Sequence, residues 1–94
     1  MEVQQKEDGT KGTFYIQDSG MEAAAMYYVY AGTDKFIIDH TEVSPAYEGK
    51  GLGKQLVRAA VDFARAKGLK IIPLCPYAKS VFEKVPEYAD VLFG

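Results

Sequence analysis

The sequence predicts a single α/β (α+β) domain, a β-hairpin meander followed by β-α-β-α. Three patterns carry that prediction. In the first half, short apolar runs rich in β-branched and aromatic residues are separated by the turn signals Ser19-Gly20 and Gly32-Thr33-Asp34. In the second half, one strongly helical pattern at 51–67 lies between two strand-like runs, which makes those runs parallel neighbours. A shorter helical pattern at 77–85 is cut off by Pro86.

The elements follow in order. Residues 1–12 are polar and read as a tail or a short edge strand. Residues 13–18 carry Phe14 and Ile16 in alternation, the mark of a strand with one buried face. The run 21–31 is mixed, because Ala23-Ala24-Ala25 favours helix while Tyr27-Tyr28-Val29-Tyr30 favours strand. The hairpin turns on both sides decide for strand. Residues 35–43, with Phe36, Ile37, Ile38, Thr41 and Val43, form the third predicted strand.

The helix at 51–67 is the sharpest pattern. Lys54, Arg58, Asp62 and Arg65 form one polar stripe, and Leu52, Leu56, Val57, Ala60, Val61 and Ala64 fill the other side. Gly68 is placed to end it. Residues 70–74 form a short apolar strand. The last helix, 77–85, lines up Ala78, Val81, Phe82 and Val85, and residues 88–93 are assigned to close the sheet edge.

Bulk properties narrow the function. A chain of 94 residues has room for one domain and one core, and its 48% hydrophobic and 13% aromatic content supplies that core. A net charge of −2, with both signs interspersed, lacks the basic footprint of a nucleic-acid partner. A single cysteine forms no internal disulfide and points to a reducing compartment. The polar N-terminus lacks a signal-peptide pattern, and the longest apolar run, 23–31, falls short of the ~20 residues that span a bilayer. The expectation is a cytoplasmic protein with no membrane partner. One His and one Cys are too few for a metal site.

The most informative segment is Ser44-Pro45-Ala46-Tyr47-Glu48-Gly49-Lys50-Gly51-Leu52-Gly53-Lys54. Alternating glycines leave the backbone bare, so a ligand can approach main-chain N–H groups closely. The helix that opens there adds unpaired N–H groups and the positive end of its dipole, a site for a phosphate-type anion. Lys50 and Lys54 add positive charge. A P-loop is excluded, because Gly49 precedes Gly53-Lys54 by one residue too few and Gln55 stands where a hydroxyl is needed. A dinucleotide fingerprint read from Gly51 places Leu56 at its third glycine and is excluded as well.

Glu48-Gly49-Lys50-Gly51-Leu52-Gly53 resembles the acyl-CoA loop of the GNAT N-acetyltransferase superfamily, Arg/Gln-x-x-Gly-x-Gly/Ala, with Glu48 in place of the usual Arg or Gln. The run from Cys75 to Lys84 resembles that superfamily's second motif, Asn-x-x-Ala-x-x-x-Tyr-x-Lys. Ala78 and Lys84 match it, Cys75 stands at the Asn position, and Phe82 stands at the Tyr position. The resemblance covers about the second half of the chain. It implies a minimal GNAT-like fold lacking the first two GNAT helices, and therefore an open acceptor side.

The resemblance also implies a function. Acetyl-CoA, or coenzyme A, is the expected small-molecule partner and acyl donor, with transfer to an amine. The loop amides from Gly49, Lys50, Gly51, Leu52, Gly53 and Lys54 would hold the pyrophosphate. The backbone of Thr41 and Val43 would pair with the pantetheine arm. The family's Tyr protonates the leaving thiolate, which Phe82 cannot do. The acceptor, whether small amine or protein, and the acyl group stay open, and a monomer is compatible with these features. A CoA-binding module without turnover is the alternative.

Two side chains are candidate catalysts. Cys75 lies at the carboxyl end of a strand, where ligands of α/β units sit, and at the start of a helix that favours a thiolate. It reads as an acyl-accepting nucleophile or as a buried structural thiol. His40, the only histidine, has the intrinsic pKa of a general base for the acceptor or for Cys75, or is simply a hydrogen-bonded strand residue. Tyr77 is the one tyrosine near the expected thioester and could supply the acid that Phe82 lacks. Pro73 either marks an edge strand or splays two parallel strands to admit the pantetheine.

Glu48 generates a direct test. A carboxylate beside a polyanion repels it, so Glu48→Gln should tighten CoA binding by about 1 kcal/mol or less at an exposed site, measured by calorimetry. Weaker binding in the variant would show that Glu48 makes a needed contact.

Overall fold

A computed structural model describes residues 2–93, so Met1, at the head of the predicted tail, lies outside it. Five strands form one sheet in sequence order: β1 (Gln4–Glu7), β2 (Lys11–Asp18), β3 (Met21–Tyr30), β4 (Lys35–Val43) and β5 (Lys70–Pro73). The first four are an antiparallel meander, and β5 runs parallel to β4. Helix α1 (Leu52–Lys67) supplies the crossover between β4 and β5. Helix α2 (Pro76–Lys84) follows β5 directly, and 3₁₀ turns occupy Pro45–Tyr47 and Pro86–Val91.

The alternation in the strands sets which face is buried. Phe14 and Ile16 of β2, Met26 and Tyr28 of β3, and Phe36 and Ile38 of β4 point to one face and are almost fully enclosed. Helix α1 covers that face with the stripe its periodicity predicts: Leu52, Leu56, Val57, Ala60, Val61 and Ala64 are all buried. Gly68 takes a left-handed φ of 69° and its N–H returns to Ala64 O, ending the helix at the predicted place. The run 21–31 is strand, as the turns required and as the alanines alone did not. Among the described residues, no helix is long and apolar enough to cross a membrane.

Two termini differ from expectation in detail. Within 1–12, residues Gln4–Glu7 form the edge strand β1, and β2 starts at Lys11 rather than at 13. Residues 88–93 do not form an edge strand. Pro86 starts a 3₁₀ turn, and the Arg65 guanidinium holds that turn through Glu87 O (2.8 Å) and both Asp90 carboxylate oxygens (2.9 and 3.0 Å). Leu92 meets the sheet in an isolated parallel bridge to Ile71, with the Phe93 amide donating to Ile71 O at 2.9 Å.

The edge strand is tied down by a buried tyrosine. The Tyr28 ring packs with Phe14, Phe36 and Phe63, and its hydroxyl emerges to donate to Glu7 Oε1 at 2.7 Å while accepting from Gln5 Nε2 at 2.6 Å. The Tyr30 hydroxyl donates to the same Glu7 oxygen at 2.7 Å. Burial above all, with the Glu7 carboxylate adding to it, pushes the Tyr30 pKa up to about 12, so the donor keeps its proton.

Gly12 lies between these partners, paired with Glu7 on one side and Tyr28 on the other. A Cβ there would stand 2.5 Å from the Tyr28 Cζ and hydroxyl and 2.8 Å from the Glu7 Cβ. Gly12→Ala should therefore lower unfolding stability by about 1–3 kcal/mol through overpacking. An unchanged denaturation midpoint would show that the ring and β1 move aside freely.

Candidate active site

The site begins where two strands part. The β4–β5 ladder runs from Lys35 opposite Lys70 to Ile38 opposite Pro73, and stops. Pro73 has no N–H to continue it. The amides of Leu74 and Cys75 both turn onto the Ile38 carbonyl, at 3.1 and 3.0 Å. Strand β4 continues to Val43, so residues 39–43 keep one backbone edge without a strand partner. The splayed arrangement that Pro73 raised is present, and β5 is also the last strand of the sheet.

A β-bulge at the same point decides what each side chain faces. Tyr28 pairs with Ile38 but Tyr27 pairs with His40, leaving Asp39 as the extra residue. Past the bulge, Thr41 and Val43 lie on the helix-covered face, while His40 and Glu42 lie on the opposite, uncovered face. The contacts agree. The Cys75 thiol donates to Thr41 Oγ1 at 3.3 Å, and Val43 packs against the core. His40 instead stacks on Tyr27 (centroids 6.1 Å, planes 19° apart), with Nε2 3.7 Å from Glu42 Oε2.

The two candidate catalysts are therefore not brought together on one face. Cys75 is buried, at 4% exposure, and occupies the N-cap position of α2. His40 is exposed and opens onto an outer groove of about 680 Å³ that it shares with Lys6, Thr13, Tyr27, Val29 and Asp39. The expectation that neighbouring strands would place His40 beside Cys75 took no account of the bulge.

The glycine loop completes the inner side. Ser44 is pinned to the end of β3 by its amide on Ala23 O and its hydroxyl on Glu22 O, both at 2.9 Å. Tyr47 donates to Asp18 Oδ2 at 2.8 Å, which anchors the 3₁₀ turn to the end of β2. Gly49 and Gly51 then take left-handed φ of 82° and 76°, with open space where a Cβ would point. Their requirement is conformational. Gly53 is different: it is helical, and a Cβ on it would fall 2.7–2.8 Å from the Tyr77 ring and hydroxyl. The first helical bond of α1 is Gln55 N to Gly51 O at 3.2 Å, so the amides of Leu52, Gly53 and Lys54 have no intrahelical acceptor. Among the described residues, no side chain caps that end and no acidic residue sits in its first turn.

Thr41, Val43, Gly49, Gly51, Leu52 and Gly53 line one cleft of about 320 Å³, joined by Tyr47, Glu48 and Tyr77. An unpaired strand edge on one wall and free amides on the other can hold an amide-bearing chain that ends in an anion. Lys50 and Lys54 do not line this cleft. Lys54 opens onto a separate surface with Gln55 and Arg58, and Lys50 projects from the loop. Tyr47 was missed by sequence reasoning as a lining residue, having no partner there until Asp18 is brought near. Burial first, and then the neighbouring Cys75, raise the Tyr77 pKa, so its hydroxyl is protonated at neutral pH. Phe82, at the position of the family's acid, is buried and packs edge-on against Tyr88 at 6.0 Å.

Residues 13–91 match the family described as GCN5-related N-acetyl-transferase. The chain belongs to that family. It is 31% identical to Protein NATD1 of Gallus gallus over 93 residues, covering 96% of this chain and 84% of that one. Streptothricin acetyltransferase of Streptomyces lavendulae is 36% identical over 64 residues, 66% of this chain and 34% of that protein. The NMR solution structure of a GCN5-like protein from Staphylococcus aureus superposes with a TM-score of 0.77 at 39% identity, covering 99% of this chain and 88% of that one. The GNAT resemblance and the compact fold read from the two motifs stand. The site just described sits on the minimal form of this family's fold, five strands and two helices.

The loop geometry is open to measurement. At φ 76° with nothing within 4 Å, Gly51→Ala meets backbone strain without a clash and should lower stability by about 1 kcal/mol. Gly51→Asn, a residue that tolerates the left-handed region, should lose less. Equal losses in thermal unfolding would show that φ is not the constraint at this position.

Proposed function

We propose that this protein binds acetyl-CoA in the cleft between the β4 edge and the glycine loop and transfers the acetyl group to an amine. The unpaired edge of β4 directly facing free helix-N-terminal amides carries this reading. Thr41 and Val43 would pair with the amides of the pantetheine arm, as a strand partner would. The N–H groups of Gly49 to Lys54, with the dipole of α1, would hold the pyrophosphate. Acetyl-CoA supplies the acyl group as a thioester.

The two sheet faces suggest separate tasks. Cys75, at the inner mouth of the gap and at the start of α2, is the candidate to receive the acyl group or to line the thioester. If it reacts, its thiolate attacks the acyl carbonyl and CoA leaves as the thiolate. The acceptor amine would come from the outer groove, where His40 is exposed and can take the ammonium proton. Glu42 beside His40 Nε2 would stabilise the resulting imidazolium. A CoA-binding module without turnover is favoured by one observation: Phe82 is a buried hydrocarbon where the family carries its acid.

Incubation with acetyl-CoA and a panel of amines separates these readings. Catalysed acetylation of any amine supports the transferase, and binding without transfer supports the module. If Cys75 is the nucleophile, the intact protein should gain one hydroxylamine-labile acetyl group, and Cys75→Ala should bind CoA like the parent while losing about 100-fold or more in transfer. Parental transfer in Cys75→Ala would make this thiol structural. His40→Ala should lower transfer by about 100-fold with little change in CoA affinity.

A further inference from the structure

Tyr77 is the one cleft-lining hydroxyl without a hydrogen-bond partner among the described residues; Thr41 accepts from Cys75, and Tyr47 donates to Asp18. It stands at the second position of α2, in the motif run that includes Cys75, Ala78 and Lys84, at a position the motif leaves unspecified. The ring edge, Cε2, Cζ and Oη, rests on the bare backbone of Gly53, at the second position of α1. The hydroxyl thus shares one cleft with Leu52 and Gly53, in the first turn of α1, whose amides the helix leaves free. Tyr77 is 38% exposed and so is not sealed in the core.

Resting on the CoA-binding reading above, we propose that Tyr77 is a CoA-binding residue whose hydroxyl donates to a phosphate at the N-terminus of α1, and that glycine at position 53 exists to seat its ring. Two features support this. An aromatic ring leaning on a helical glycine lines the same cleft as Thr41 and Val43 of the β4 edge. Its raised pKa keeps the hydroxyl a donor across the neutral range. Gly53 thereby has a different reason from Gly49 and Gly51. Those two serve the backbone turn, whereas Gly53 serves a side chain from another helix.

The test compares CoA with pantetheine, which has no phosphate, by NMR titration of the full chain. Tyr77→Phe keeps the ring and removes only the donor. It should weaken CoA about tenfold and leave pantetheine unchanged, as expected for loss of one hydrogen bond to a charged group. Equal weakening of both ligands, or of neither, overturns the phosphate assignment. Gly53→Ala should weaken CoA in the parent but cost nothing further in a Tyr77→Ala background. The same loss in both backgrounds would show that the added methyl meets the ligand and not the ring, and the pairing of Gly53 with Tyr77 would be wrong. If the parent binds neither CoA nor pantetheine, the CoA reading itself fails, and this inference with it.

Discussion

The parting of β4 from β5 beyond Ile38 is the constraint on which the rest of the site depends. A parallel ladder that continued would have paired residues 39–43 and closed the cleft. Instead the Ile38 carbonyl accepts two amides, from Leu74 and Cys75, and the chain turns into α2. An unpaired strand edge is ordinarily a hazard, because it invites another strand. Here Thr41 and Val43 of that edge line one cleft with the glycine loop and Tyr77. The same turn delivers Cys75 to Thr41 and Tyr77 to Gly53. Three features of the site thus follow from one interrupted ladder.

The bulge at Asp39 is the second half of that device. A regular β4 would keep the parity of Phe36 and Ile38 and send His40 and Glu42 toward the helix-covered face. One extra residue reverses the parity. Thr41 and Val43 stay with the loop, and His40 goes to the face that no helix covers. The cleft of the glycine loop and the groove beside His40 therefore open on different faces of the sheet. In so small a domain, that separation comes from a single residue.

The small size also explains the investment at the far edge of the sheet. With no helix on the outer face among the described residues, one helix-covered core must carry the fold. Its centre is aromatic: Phe14, Tyr28, Phe36 and Phe63 pack with centroids 5.0–6.2 Å apart. Tyr28 and Tyr30 extend this cluster to the short edge strand through Glu7, and Gly12 leaves room for the ring. The site end of the molecule is correspondingly loose in composition, with exposed loop glycines whose work is conformational.

Local order was legible in the sequence because local physics determines it. The periodicity of α1, its stop at Gly68, the meander of β2 to β4 and the glycine turn that opens α1 with free amides all depend on residues within a turn or two of one another. The loop and the second motif were also enough to name the family. What tertiary structure alone decided were relations between segments distant in sequence. Periodicity at 35–43 could not show a bulge, because the extra residue is defined only against Tyr27 and Tyr28 on the next strand. His40 was therefore expected beside Cys75 and lies on the other face. Residues 88–93 have strand-like composition, yet Arg65, more than twenty positions earlier, holds them in a 3₁₀ turn. The glycine at 53 read as part of a phosphate loop, and its contact with the Tyr77 ring, brought there by a helix that begins after the next strand, had no local signal. Sequence specifies what each segment can be, because hydrogen bonds and side-chain periods are local. Which atoms meet across the cleft is decided by how the strands part.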